Sequence, residues 1–368
     1  MANLRIPGPT PVPNDVLEAV GRPMVDHRGR PFAELIGRVV TRLKKFYRTE
    51  NDVLILTASG TGAMEAAIVN TLSPGDKVLA VTIGSFGDRF IEIAEVYGAD
   101  VTVLGFEWGT AADPEAIRDA LKADSAIKAV LVTHNETSTG VTNPLQEIAQ
   151  VVREADRLLL VDAISGLGSI PLATDAWGLD VVVSGSQKGW MVPPGLAFVS
   201  MSERAWQAFE TSKMPRFYFD LAEHREFLKK GQTPFTPAVS IFYGLDVALE
   251  KLEAEGVEAV YARHARLAQM TREGVKRLGL ELFVRDERYA SDTVTAVKCP
   301  EGVKVKDLRN LMEDEFDVVL AGGQGKISDS IFRIGHLGLV SEADIQDVIE
   351  SLAQALPRLG FAVPAYNR

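Results

Sequence analysis

Four short segments carry residue types that could do chemistry. The first is Leu56-Thr-Ala-Ser59-Gly60-Thr61-Gly62-Ala-Met-Glu65, which follows an apolar run and opens a helical pattern. Small residues there let backbone N–H groups approach a ligand, and a helix start favours an anion. Ser59 and Thr61 add hydroxyls, so a phosphate is the natural occupant; the alternative is a plain turn in which Ser59 caps its own helix. The second is Leu159-Leu-Val-Asp162-Ala-Ile164. Asp162 ends an apolar run, at the strand end where open α/β sheets bind ligands. Its carboxylate would fix a cationic group, or serve only as a loop-stabilising Asp. The third is Val183-Ser-Gly-Ser-Gln187-Lys188-Gly-Trp190, continuing to Pro193-Pro-Gly195. A lysine set among small residues behind an apolar strand loses solvation, which lowers its pKa and frees its amine as a nucleophile toward carbonyl compounds. The fourth is Ile331-Phe-Arg333-Ile-Gly335-His336. An arginine inside an apolar run needs a partner, either a carboxylate ligand gripped in bidentate fashion or a structural salt bridge.

A phosphate-binding turn, a strand-end Asp, a strand-end Lys and a late Arg, in that order, together describe a pyridoxal-phosphate site. The elements that must position them are legible in the pattern. From Asp52 to about Ser200, apolar runs of about five residues alternate with helix-length segments. The runs are Val53–Leu56, Val78–Thr82, Val101–Leu104, Ala129–Thr133, Leu158–Val161, Val181–Ser184 and Leu196–Ser200. Consecutive apolar positions predict strands buried on both faces, hence a mostly parallel sheet covered by helices. A long helical stretch, Val239 to about Leu278, is interrupted at Gly256, and Ser341 followed by acidic residues marks a late helix start. The fold class expected is α/β, with a mostly parallel sheet in a large domain and a smaller C-terminal α+β domain. The expected boundaries are an N-terminal arm over residues 1–16, the large domain over 17–257 and the small one over 258–368. The arm carries Pro7, Pro9, Pro11 and Pro13, which exclude a helix or central strand there.

Composition narrows the partners. The chain has 368 residues, 39 basic and 50 acidic, for a formal net charge of −11. Such a balance disfavours nucleic acid and anionic membranes. No run approaches the ~18 apolar residues of a membrane span, and no signal peptide is visible, so a cytoplasmic enzyme is expected. The single cysteine, Cys299, and five scattered histidines leave no expected metal site.

The wording of these segments also resembles a known family, the class V, fold-type I pyridoxal-phosphate aminotransferases of the alanine–glyoxylate, serine–pyruvate and serine–glyoxylate group. The resemblance spans almost the whole chain. It includes Pro7-Gly-Pro, Ala58-Ser-Gly-Thr-Gly-Ala-Met-Glu65, Gly84-Ser-Phe-Gly-Asp-Arg89, Thr133-His-Asn-Glu-Thr-Ser-Thr-Gly140, Leu160-Val-Asp162, Ser184-Gly-Ser-Gln-Lys188, Thr233-Pro-Phe-Thr-Pro237 and Phe332-Arg-Ile-Gly335. It implies pyridoxal 5′-phosphate as cofactor, bound to Lys188 as a Schiff base, with Asp162 pairing the ring nitrogen. It further implies that Ser59, Gly60, Thr61 and Gln187 hold the phosphate and that Thr137 meets the ring hydroxyl region. Phe86 and Ile164 would flank the ring, Arg333 would clamp the substrate carboxylate, and Gly8 of the arm would line the substrate side. Thr236, with Gln232 a further candidate, would reach the phosphate of a partner subunit in a homodimer with shared sites. The reaction implied moves an amino group from alanine or serine to glyoxylate or a similar 2-oxo acid. Alternatives are transamination of the ureidoglycine–glyoxylate type, a class V lyase or desulfurase, and a non-catalytic hydrogenase-associated subunit. A desulfurase needs a cysteine nucleophile on a mobile loop, whereas Cys299 ends an apolar run and reads as a small buried strand residue.

Overall fold

The computed structural model describes residues 3–364. Its centre is a seven-stranded sheet in the order Val53–Leu56, Ala197–Met201, Val181–Gly185, Leu158–Asp162, Ala129–Thr133, Lys77–Thr82, Asp100–Gly105. All neighbours pair in parallel except Ala197–Met201, which is antiparallel to both strands beside it. The runs of consecutive apolar residues are explained by helices on both faces. Val161 and Val182 pack into a core with Phe32, Val39, Trp190 and Phe242. Their sequence neighbours Leu160 and Val183 pack into a second core with Met64, Ile68 and Phe90. One of the predicted strands departs from this rule. Asp100–Gly105 is the sheet edge, and Val103 is 51% exposed. At this edge the strand is left largely uncovered, so its apolar run does not signal burial on both faces, whereas the opposite edge strand, Val53–Leu56, is buried throughout.

The C-terminal part carries a four-stranded sheet in the order Asn3–Arg5, Val318–Gly322, Ile331–Gly335, Val294–Lys298. Helices Val257–Arg277, Val305–Phe316 and Glu342–Arg358 cover it around Phe332, Ile345 and Leu352. The last helix starts where Ser341 predicts. The Ser341 hydroxyl accepts from the Asp344 amide at 3.2 Å, and the Asp344 carboxylate accepts from the Ser341 amide at 2.7 Å, a reciprocal cap. The N-terminal strand pairs in parallel with Val318–Leu320. The proline-rich stretch after it then crosses to the carboxyl ends of the large sheet. Gly256 separates helices Val239–Glu255 and Val257–Arg277 with φ of +89°, a backbone conformation open to glycine. Among the described residues no helix is long and apolar enough to cross a membrane.

Candidate active site

Thr133 and Asp162 lie opposite each other at the carboxyl ends of adjacent parallel strands, and Asp162 is in turn opposite Val183. Lys188 follows the strand Val181–Gly185 by three residues, so lysine and aspartate share one edge of the sheet. The turn beyond Lys188 is anchored by Trp190. Its indole N–H donates to the Ser184 hydroxyl at 3.0 Å, and its ring meets Phe46 and Phe198 edge-on.

The N-terminal stretch closes over the lysine. Thr10 donates through its amide to the Gln187 carbonyl at 3.1 Å and through its hydroxyl to the Lys188 carbonyl at 3.0 Å. Lys188 Nζ donates to the Pro7 carbonyl at 2.6 Å. A Cβ on Gly8 would lie 2.7 Å from that same nitrogen, and Gly8 has φ of +131°. That backbone conformation favours glycine, and any side chain there would displace the lysine tip. Burial, reinforced by Arg333, lowers the Lys188 amine to about 8, with Asp162 pulling the other way and Arg89 adding a small further push.

Asp162 is 2% exposed. One carboxylate oxygen accepts from the Ile164 amide at 2.9 Å, and the other faces the Thr133 hydroxyl at 3.4 Å. Burial raises its pKa to about 6, and the nearby Glu136 charge adds to this. A buried carboxylate so placed lacks a cationic partner close enough to restore its ordinary acidity, and a protonated ring nitrogen is such a partner.

The helix Gly60–Thr71 begins beside these groups. Ser59 stands at its N-cap but makes no side-chain capping bond, so the plain-cap reading is not what the structure has. A Cβ on Gly60 would meet Ile164 Cδ1 at 2.6 Å, and one on Gly185 would meet Gln187 Oε1 at 2.9 Å. Thus Gly60, Ile164, Gly185 and Gln187 pack into one cradle. The Gln187 amide oxygen is buried with no hydrogen-bond partner among the described residues. Turned over, the same amide offers its N–H groups to an anion. A bare helix start and an orphaned amide are what a phosphate would use, so the residues present fit pyridoxal 5′-phosphate.

A cleft of about 310 Å³ completes the site, with Gly8, Phe86, Thr137, Lys188 and Arg333 among its walls. Arg333 is 5% exposed. Its Nε donates to the Gly322 carbonyl at 2.7 Å and one Nη to the Thr137 carbonyl at 2.9 Å. Burial lowers its pKa to about 10, opposed by Glu136 and aided by Arg309. The outer Nη edge stays free to bind a carboxylate. Arg333→Ala should therefore raise KM for the amino acid and the 2-oxo acid alike by about 10- to 100-fold, the equivalent of a lost charged hydrogen-bond pair. Initial-rate kinetics on both substrates check this; unchanged KM values for both would refute the clamp. Thr236 is exposed and lies outside this cleft, on a segment whose Ala238 amide donates to the Thr57 hydroxyl. Gln232 exchanges hydrogen bonds with Arg28.

Glu136 is a site residue that the sequence did not single out. It is buried, and its carboxylate accepts from the amides of Phe86, Gly87 and Ser138 and from the Ser138 hydroxyl. It thereby fixes the start of helix Ser85–Val96 and the backbone of Phe86, although burial pushes its own pKa up. No local sequence signal marks it: the run Thr133–Gly140 is polar throughout, and only the structure shows every one of its residues to be buried. Cys299 sits just past strand Val294–Lys298, half-buried, with its thiol toward the Val303 carbonyl. That differs from the buried strand residue expected: burial along the strand ends at Val297, Lys298 is exposed, and Cys299 falls just beyond the last strand residue. Burial pushes the thiol up in pKa, the reverse of an activated nucleophile.

A mostly parallel sheet with lysine and aspartate at its carboxyl ends, and a bare helix start beside them, defines a fold-type I pyridoxal-phosphate enzyme. The family profile of the class-V aminotransferases matches residues 6–333, and the chain belongs to that family. A relative from Synechococcus sp. named the small subunit of a soluble hydrogenase is 46% identical over 98% of this chain and 94% of its own length. The serine–glyoxylate aminotransferase of Methylorubrum extorquens is 39% identical over 98% of this chain and 92% of its own. The crystal structure of an alanine–glyoxylate aminotransferase from Nostoc sp. superposes with a TM-score of 0.93 at 32% identity, covering 96% of this chain and 95% of that one. The protein is an aminotransferase dependent on pyridoxal 5′-phosphate.

Proposed function

We propose that this aminotransferase moves the amino group of a small amino acid, alanine or serine, to glyoxylate or a similar small 2-oxo acid, as a cytoplasmic homodimer. The observation that carries this reading is the placement of the Lys188 amine under the Pro7–Gly8 turn, in a small cleft whose far wall holds Arg333. The names of the glyoxylate-using relatives support the same substrates. The bound cofactor supplies the electron sink that lets the donor's Cα–H bond ionise. Lys188 is the residue that would hold the cofactor, and its free amine would carry the proton away from the donor Cα. Asp162 keeps the ring nitrogen protonated. Ser59, Gly60, Thr61 and Gln187 hold the phosphate, and Thr236 reaches it from a second copy. Thr137 would meet the ring hydroxyl region, and Phe86 and Ile164 would flank the ring. Arg333 orients the donor by its carboxylate, and Gly8 leaves room beside the amine.

A desulfurase reading lacks its nucleophile, since the lone Cys299 is half-buried with a raised pKa. A purely structural hydrogenase-associated role would leave the lysine, aspartate and arginine constellation without a purpose. The test is a half-reaction screen of the holoenzyme against single amino acids. Alanine or serine should bleach the cofactor's visible band and release one equivalent of the matching 2-oxo acid without ammonia. Ammonia release with the band retained would replace transamination by elimination.

A further inference from the structure

Glu136 ends the two-residue strand Asn135–Glu136 and is wholly buried. Its contacts run from one wall of the cleft to the other. Oε2 accepts from the Phe86 amide at 3.0 Å and the Gly87 amide at 3.1 Å. Oε1 accepts from the Ser138 amide at 3.0 Å and the Ser138 hydroxyl at 2.6 Å. That hydroxyl in turn accepts from the Ser85 amide at 2.9 Å. The first three amides of helix Ser85–Val96 are therefore all taken up by residues 136 and 138. The helix's own N-cap, Gly84, has no side chain to offer them. Its smallness makes the approach possible, because a Cβ there would press against Glu136 Cδ, at 2.5 Å, and against the Ser138 hydroxyl.

The other end of this chain of contacts is the clamp. The Glu136 carbonyl accepts from the Gly140 amide at 2.9 Å, closing a turn over residues 136–140. Thr137, inside that turn, offers its carbonyl to Arg333 Nη1 at 2.9 Å. Among the described residues the fork's one further partner is the Gly322 carbonyl. Phe86, Thr137 and Arg333 all line the cleft, so one buried carboxylate ties the Phe86 wall to the peptide that aims the guanidinium. Its four contacts are all neutral donors, and the three amides among them cannot accept. That donor set suits an ionised carboxylate and opposes the upward push of burial on its pKa. Glutamine has the same shape, but its NH2 group would face an amide N–H at whichever oxygen it replaced. The exchange therefore releases either the Phe86 side or the turn that carries Thr137.

We propose that Glu136 is a positioning residue of the amino-transfer reaction. It holds the turn whose Thr137 carbonyl aims Arg333, so the grip on a substrate's carboxylate depends on a side chain that never touches substrate. This rests on the reading of Arg333 as the carboxylate clamp. The test is a double-mutant cycle in the holoenzyme: wild type, Glu136→Gln, Arg333→Ala and both together. It is read on kcat/KM for alanine with glyoxylate and, without turnover, on calorimetric titration with propionate, an unreactive carboxylate. Glu136→Gln should weaken propionate about tenfold, the equivalent of one charged hydrogen bond, and raise both KM values more than it lowers kcat. On the Arg333→Ala background the same exchange should change kcat/KM by less than about twofold, because no fork remains to be aimed. Ser138→Ala, which removes one donor to the carboxylate, should show the same dependence on Arg333 with a smaller loss, and it carries the test where Glu136→Gln does not fold. Equal losses on both backgrounds would make Glu136 a general stabiliser of the fold and overturn the proposal while leaving the clamp intact. A fall in kcat with KM and propionate unchanged would overturn it too, by placing the effect at the ring. Propionate bound equally by wild type and Arg333→Ala would remove the clamp reading itself, and this proposal with it.

Discussion

Replacing Lys188 with alanine is expected to lower single-turnover amino transfer by at least about 10⁴-fold, since it removes both a covalent attachment and a proton carrier. Structure elsewhere should survive, because the turn is held by Trp190, Thr10 and the Ser186 hydroxyl bond to Pro193. Borohydride treatment of wild type should fix the cofactor to the peptide carrying Lys188, and the variant should show no fixed label. Transamination by the variant at the wild-type rate would sink the mechanism. The amine's depressed pKa adds a pH signature. With a midpoint of about 8 instead of 10.5, cofactor-free protein should capture a carbonyl faster as pH rises and level off above about 8. The stability sign follows. Below about pH 8 the amine is protonated in both states, and burying its charge costs stability in full; between about 8 and 10.5 the unfolded chain holds a proton that the buried amine has given up. That cost fades as pH climbs from about 8 toward 10.5.

The parts of this site visible in the sequence are those whose chemistry is local. Asp162 ends an apolar run and Lys188 follows one by a few small and polar residues, so those runs already put both at the carboxyl ends of strands. Ser59-Gly60-Thr61 marks a strand-to-helix turn for the same reason. What stayed hidden depends on contacts between distant segments. Arg309 lies on an amphipathic helix among Lys306, Asp307 and Glu313, and nothing local tells which charge turns toward the Leu320 carbonyl. Strand Asn3–Arg5 is three residues long, and its partner, Val318–Leu320, lies at the other end of the chain. Local pattern cannot announce such a pairing. Glu136 is a different case. A carboxylate survives burial only where donors converge on it, and while Ser138 supplies two of them locally, the other two come from a helix start some fifty residues earlier. The edge position of Asp100–Gly105 likewise follows from strand order, which composition does not encode.

Asp162→Asn is expected to lower kcat on the order of 10³-fold, the rate equivalent of the roughly 3–5 kcal/mol attached to breaking a buried ion pair from one side. The substitution is nearly isosteric, and its remaining oxygen still accepts from the Ile164 amide, so position is kept while charge is lost. The effect should fall on kcat more than on KM, because the ring's charge matters most as the Cα–H bond ionises. Asp162→Glu, which keeps the charge but displaces it, should recover part of the rate. In cofactor-free protein the sign of the pH effect reverses what a paired carboxylate would give. Burial lifts the Asp162 pKa from 3.8 to about 6. Its protonated form is favoured in the fold, and the stability this brings is present below about 3.8 and lost as pH rises through about 6. Binding a cationic ring should bring that pKa back down and remove the loss. Thermal melts across pH 4 to 8, with and without cofactor, measure the difference. In the Asn variant the cofactor-free melts should lose this pH-dependent component. A variant with kcat within tenfold of wild type and an unaltered pH profile would show that Asp162 neither carries the ring's charge nor titrates with the fold.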